Sequence, residues 1–156
     1  MTMTTIVRPA TRADAPHLID WNAAMALETE HKVLDRAVLA RGVAAVFDDP
    51  RRGFYLVAEQ GGTPVGSLLV TTEWSDWRCG DWWWIQSVYV VPAGRRSGVF
   101  RALYADVEAR ARAASDVVGL RLYVESDNER AQRTYENLGM EASSYRFFER
   151  GFVKYS

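Results

Sequence analysis

The sequence predicts a mixed α/β (α+β) domain: a central sheet with helices packed on it. Three observations predict it. Short β-favouring runs alternate with stretches of helical spacing. The turn Gln60-Gly61-Gly62-Thr63 joins two such runs as a hairpin. The resulting order, β-α-α-β-β-β-α-β-α-β, excludes a helical bundle and a sandwich.

Taken in order, Thr5-Ile6-Val7-Arg8 is a short strand, and Thr11 with Asp14 is a helix-start signature. Leu18, Trp21 and Met25 follow at helical spacing, so the first helix runs to about Glu28. A second helix spans about Asp35 to Phe47, and Asp48-Asp49-Pro50 ends it. Strands are expected at about 54–59, 65–72 and 82–91, the last stopped by Pro92. A helix follows at about 97–114, a strand at 120–124, and a short helix at 126–138 closed by Gly139. An aromatic-rich last strand is expected at 145–152.

The chain has 156 residues, 48% hydrophobic and 25% charged, which suits one globular domain with its own core and argues against long disorder. A net charge of -1 disfavours a polyanion-binding surface over the whole protein, so no nucleic-acid partner is expected. The single cysteine, Cys79, cannot form an internal disulfide, and no Cys/His spacing suits a metal, so none is expected. Residues 1–10 lack an apolar run of signal-peptide length, and no stretch is long enough to span a bilayer. The expected compartment is the cytoplasm, with no membrane partner.

The most informative segment is Val90-Val91-Pro92-Ala93-Gly94-Arg95-Arg96-Ser97-Gly98-Val99-Phe100. A strand leads through a loop with arginines and glycines into a helix. A helix N-terminus presents backbone N–H groups and the positive end of the macrodipole. Gly98 has no side chain to obstruct a phosphate, and Arg95, Arg96 and Arg101 add charge. The physical reading is a pyrophosphate cradle; the bland one is a strand–helix connection with surface arginines. The Gly-Lys-Ser/Thr ending of a Walker loop and the G-x-G-x-x-G dinucleotide fingerprint are both absent.

With its neighbours, this segment resembles the GNAT superfamily of acyl-CoA-dependent N-acetyltransferases. That family carries Arg/Gln-x-x-Gly-x-Gly/Ala after a Val-x-Pro that closes its fourth strand. Here Val90-Val91-Pro92 is followed by Arg95-Arg96-Ser97-Gly98-Val99-Phe100. The family's later strand, helix-opening Asn, Tyr seven residues on and Gly match Leu122-Tyr123-Val124, Asn128, Tyr135 and Gly139. The sequence departs at Phe100, where the family has a small residue; a side chain turned into the core would leave that N–H usable.

The resemblance implies a GNAT-like single domain over 1–156, with a mostly antiparallel sheet, splayed fourth and fifth strands and about four helices. It implies acetyl-CoA as cosubstrate, its pantetheine arm lying in the splay against the backbone of Val88 and Val90. The loop Arg95, Arg96, Ser97, Gly98, Val99 and Phe100 would take the diphosphate. Asn128 would bond the pantetheine arm, and would also suit a helix cap. Tyr135 would contact the cofactor and act as the acid for the leaving thiolate, although Ala131, Tyr135 and Leu138 also form one helical stripe. The Val88 N–H would serve as oxyanion donor.

The base is less specified. Glu28, at the end of the first helix, and Glu73, at the end of the third strand, are candidates, beside Glu30 and Asp76, and a water relay serves equally. Each also reads as an ordinary surface charge. Five of the six tryptophans fall within residues 74–84. They read as packing, as a homodimer interface or as an acceptor site in which Trp faces and carboxylates hold a cationic amine. The expected activity is acetyl transfer to a primary amine of a small molecule by direct attack in a ternary complex. The alternatives are a non-catalytic acyl-CoA-binding or interaction module and a protein N-acetyltransferase.

Overall fold

The computed structural model describes residues 3–153, which form two compact units, 3–121 and 122–153. The first unit holds β1 (Thr5–Pro9), α1 (Ala15–Glu30), α2 (Arg36–Asp48), β2 (Phe54–Gln60), β3 (Thr63–Ser75), β4 (Gly80–Val90), α3 (Val99–Ala113) and β5 (Val117–Arg121). The second holds α4 (Glu129–Asn137). No helix of the described residues is long and apolar enough to cross a membrane.

The strands of the first unit form one sheet in the order β1-β2-β3-β4-β5. The first four pair antiparallel, and β5 joins β4 in parallel. This is the mixed, mostly antiparallel sheet that the resemblance implies. The Gly61-Gly62 turn has φ of 58° and 78°, the left-handed region that a two-residue hairpin demands.

Local signals explain the helix starts. The backbone N–H of Thr11 donates to Asp14 Oδ2 at 2.7 Å, and Asp35 Oδ1 accepts from Ala37 N–H at 2.9 Å, each satisfying an orphan donor. Asp14 is buried and takes two further bonds from the Arg8 guanidinium, at 2.8 and 2.9 Å. Those bonds hold its carboxyl below the usual carboxylate range. Arg8 also binds Glu59, which ties β1, β2 and the α1 entry together.

Leu18 of α1, Val43 of α2 and Tyr55 and Val57 of β2 form a buried cluster, with Phe47 and Leu69 at its margin. The buried face of α3 is Val99, Leu103, Tyr104, Val107 and Ala111, an i, i+4, i+5, i+8, i+12 stripe packed against the sheet.

Two features position the site. First, β4 and β5 pair only where Asp81, Trp82, Trp83 and Trp84 face residues 117–121. Beyond Trp84, β4 runs on to Val90 with β3 alone. Second, the β3–β4 register shifts between Ser67 and Leu69, so that Leu68 opposes Ser87 and Val88. Ser87 takes a positive φ of 52°, the mark of a bulge just past Trp84, the last β4 residue with a β5 partner.

Two expectations are corrected. The strand expected at 120–124 lies at 117–121, drawn back because Asp81 N–H donates to Asp116 O at 2.7 Å and sets the parallel register. Residues 141–153 carry no helix or strand, although 145–152 reads as one by composition. β-propensity describes fitness for a half-buried pleated surface, and a strand exists only with a ladder partner.

Candidate active site

In the first unit, β4 delivers a single turn of 3₁₀ helix (Pro92–Gly94), then Arg95 to Gly98, then α3. Arg96 and Gly98 both lie in the left-handed region, with φ of 65° and 81°, so the chain bends sharply twice before α3 begins. A Cβ on Gly98 would meet nothing within 4 Å, so this corner is open above the helix end. Gly98 is the N-cap of α3, and no side chain caps that end. The cradle therefore fits an anionic diphosphate: an uncapped dipole, a bare glycine, and Arg96 and Arg101 exposed beside it.

The structure refines the roles of the loop residues. The Ser97 hydroxyl donates to Gly94 O at 2.6 Å and accepts from Gln60 Nε2 at 3.1 Å, while the same amide reaches Thr5 Oγ1 at 3.1 Å. That hydroxyl is engaged inside the fold, which leaves the backbone of Ser97 as its contribution to an anion. Val99 is buried in the core. Phe100 is half-buried, with its ring 6.3 Å from Tyr104 on the same helix, as expected for a side chain turned away from the loop.

Arg95 points back toward the strand. Its Nε donates to Val90 O at 2.9 Å, its Nη2 to Glu28 Oε2 at 3.0 Å, and its guanidinium lies 5.5 Å from the Tyr89 ring centroid. Tyr89 Oη donates to the other Glu28 oxygen at 3.3 Å, and its ring stacks on Trp21 of α1. Burial, first, and the neighbouring Glu28 charge push the Tyr89 phenol up. Glu28, Arg95 and the Val88–Val90 stretch are thus one assembly at the open end of β4.

Glu73 belongs to a different assembly. Its Oε1 accepts from Trp84 Nε1 and from Arg121 Nη1, both at 2.9 Å. The Trp84 bond, ahead of the Arg121 contacts, lowers its pKa. Arg121 lies 3.8 Å over the Trp82 ring, and Arg78 lies 5.1 Å from it. A Cβ on Gly119 would come within 2.5 Å of the same indole. Glu73 pairs with Trp82, seven residues before Tyr89 on β4, which is roughly 20 Å along a strand. The structure therefore does not bring Glu28 and Glu73 together.

The tryptophans divide accordingly. Trp82, Trp83 and Trp84 are half-buried, and Trp83 meets Phe54 edge-on at 5.3 Å. Trp74 and Trp77 are 60% and 84% exposed at the hairpin tip, near exposed Cys79. Glu30 and Asp76 are exposed as well.

In the second unit, Asn128 caps α4: its Oδ1 accepts from Ala131 N–H at 3.0 Å. Tyr135 lies on the half-buried stripe with Ala131 and Leu138, and burial raises its phenol pKa. It is protonated at neutral pH, as a proton donor must be.

Sequence reasoning missed Tyr89, Gln60 and Gly66. A Cβ on Gly66 would meet Tyr89 O at 2.8 Å and Val99 Cγ1 at 3.1 Å, so β3, β4 and α3 converge there. A glycine inside a strand pattern is a signal for such an approach. No signal marks Gln60, whose burial arises only when β1, β2 and the loop meet.

The profile of the Acetyltransferase (GNAT) family matches residues 16–140. No curated protein matches. Among solved structures, a possible acetyltransferase from Clostridium difficile 630 is similar at 39% identity and a TM-score of 0.89, over 96% of this chain and 99% of that one. Aminoglycoside N-acetyltransferase AAC(6')-Iy in complex with CoA shares the fold at 15% identity and a TM-score of 0.76, over 98% of both chains. So does the ribosomal-protein-alanine N-acetyltransferase from Brucella melitensis biovar Abortus 2308, at 17% identity and 0.76, over 96% of this chain and 100% of that one.

Proposed function

The chain belongs to the GNAT family of acetyltransferases, and from that premise we propose that it moves an acetyl group from acetyl-CoA to the primary amine of a small molecule. The amine attacks directly while both substrates are bound. The observation that carries this reading is that β4 runs on past the end of β5 at Arg121 and leads into the open, uncapped start of α3 at Gly98. A fold neighbour solved with CoA and named for aminoglycoside acetylation supports the cosubstrate and the acceptor class. The reading takes 1–156 as one catalytic domain, acting in the cytoplasm as a homodimer.

Acetyl-CoA supplies an activated carbonyl, and the chain's residues do the rest. The start of α3, with Arg96 and the Ser97–Phe100 backbone, holds the diphosphate, and Arg95 braces that loop against Glu28 and β4. Beyond the end of β5, the Val88 and Val90 backbone pairs with the pantetheine arm as an added strand would, and Asn128 bonds it too. At the bulge, the Val88 N–H donates to the carbonyl oxygen as charge develops there. Tyr135 gives its phenolic proton to the sulfur as the C–S bond breaks. Glu28, directly or through water, takes the proton that the attacking amine must lose. The pKa-lowered Glu73 is a weaker proton acceptor; it orients Trp84 and Arg121 at the tryptophan-lined end and attracts a cationic acceptor.

Thiol release measured against a panel of small amines tests the proposal. Turnover with at least one amine is expected. Acetyl-CoA binding without turnover on any amine would point to a binding module. Acetylated peptide in place of acetylated small amine would make it a protein acetyltransferase.

A further inference from the structure

Gln60 ends β2 and is held there on both sides, since it pairs with Thr5 of β1 and with Thr63 of β3. The residue is buried, at 9% exposure. A buried amide needs partners for its polar atoms, and its nitrogen carries two hydrogens. Gln60 Nε2 donates to Thr5 Oγ1 and to Ser97 Oγ, both at 3.1 Å. The second partner is 37 residues away, on the loop that enters α3.

The direction of each bond is fixed by the next. The Ser97 hydroxyl has one proton, which goes to Gly94 O at 2.6 Å. Its oxygen therefore accepts from Gln60. A directed chain results, from the amide through the hydroxyl to the last carbonyl of the 3₁₀ turn. Ser97 stands between Arg96 and Gly98, the two left-handed residues at which the loop bends. Left-handed residues interrupt helix and strand alike, so the corner takes its rigidity from side-chain anchors. Arg95 anchors the outer side, to Val90 O and Glu28, where water competes for the charges. Gln60 anchors the inner side, on the sheet.

We propose that Gln60 is a positioning residue for the cofactor: through the Ser97 hydroxyl it holds the Ser97–Phe100 N–H groups in the orientation that takes the diphosphate. This rests on the acetyl-CoA reading above. A helix start binds an anion through N–H groups aimed at it, so a rotation of Ser97 and Gly98 misdirects them. The effect belongs to the diphosphate and leaves the thioester chemistry at Val88 alone.

Gln60→Met keeps length and burial and removes both donors. With its far-UV circular dichroism unchanged, it should bind acetyl-CoA about tenfold more weakly by calorimetry, the loss expected for one buried hydrogen-bond link. Ser97→Ala removes the same link from the other end, keeps the backbone, and should weaken binding to a similar degree. Unchanged affinity in either folded variant overturns the proposal. The double variant should bind as the single variants do, and additive losses, on the order of 10²-fold, would show two separate effects and overturn it. S-acetylpantetheine, which lacks the diphosphate, separates positioning from general damage. In Gln60→Met the KM for acetyl-CoA should rise about tenfold at unchanged kcat, while kcat/KM for S-acetylpantetheine stays at the wild-type value. Equal losses with both donors overturn the positioning role. The calorimetric arm needs no acceptor. Wild-type protein that fails to bind acetyl-CoA sinks the transferase reading, whereas wild-type binding left intact by Gln60→Met sinks this inference alone.

Discussion

Glu28, in the last turn of α1, is bound by Arg95 of the loop that enters α3, Nη2 to Oε2 at 3.0 Å. One carboxylate thus links the helix on the amine side of the proposed reaction to the loop on the phosphate side. Tyr89 closes the link from β4 through the other oxygen. Both ends of the ion pair are partly exposed, so its net worth to stability is small, about 0–1 kcal/mol. Its importance lies in placement. Glu28→Gln should lower kcat/KM for the amine at least tenfold and leave acetyl-CoA affinity within a few-fold, whereas Glu73→Gln should have the smaller effect. Steady-state kinetics with a validated acceptor decides it, and equal effects of the two variants would count against Glu28.

Gly98→Asp should weaken acetyl-CoA binding by roughly 10²-fold, about 2.7 kcal/mol. It places a negative charge at an uncapped helix N-terminus where an anion must sit. At φ of 81° most side chains are strained, so Gly98→Asn, which tolerates that region, is the control for folding. Calorimetry on both folded variants checks it, and unchanged affinity in Gly98→Asp would remove the cradle.

Tyr135→Phe should lower kcat by on the order of 10²-fold or more, with little change in the KM for acetyl-CoA, since only the proton is removed. Its phenol pKa is raised by burial. The protonated form is the active one, so kcat should fall only as pH rises past the ordinary phenol value of about 10. That limb should be missing from the variant's pH profile. A wild-type rate in the variant would return Tyr135 to a packing role.

Asp14→Asn should destabilise the fold by about 2–3 kcal/mol, because a buried carboxylate holding Arg8 and the Thr11 N–H is replaced by a neutral amide. The folded pKa of Asp14 lies below its unfolded value. Its contribution is therefore present above the unfolded value and is lost as pH falls through the folded one. Urea midpoints measured down the acid range should converge for wild type and variant, and parallel curves would show that the charge is not what matters.

The elements legible in the sequence are those whose signals are local. The Thr11/Asp14 start of the first helix, the Asp35 cap, the Gly61-Gly62 hairpin and the loop into α3 each depend on residues a few positions apart. The β5 register was not legible, because it is set by Asp81 N–H donating to Asp116 O across a parallel pair. Nor was the separation of Glu28 from Glu73. Each ends an element, and only the pairing of Glu73 with Trp82 shows that they lie at opposite ends of β4. The run at 145–152 has strand composition without a strand, since composition cannot supply a ladder partner.

The indole of Trp82 rests where position 119 has no side chain, with Arg121 on the same strand stacked over it. Neither position can change by itself. A methyl at 119 would displace the ring, and a smaller residue at 82 would leave a hollow and strip Arg121 of its platform. Among relatives of this chain, the two sites should therefore vary in step: glycine with tryptophan, larger residues with smaller rings. Libraries that diversify the tryptophan-rich hairpin for new acceptors should mutate 82 and 119 jointly, because single changes at either would be discarded for misfolding before selectivity could be scored.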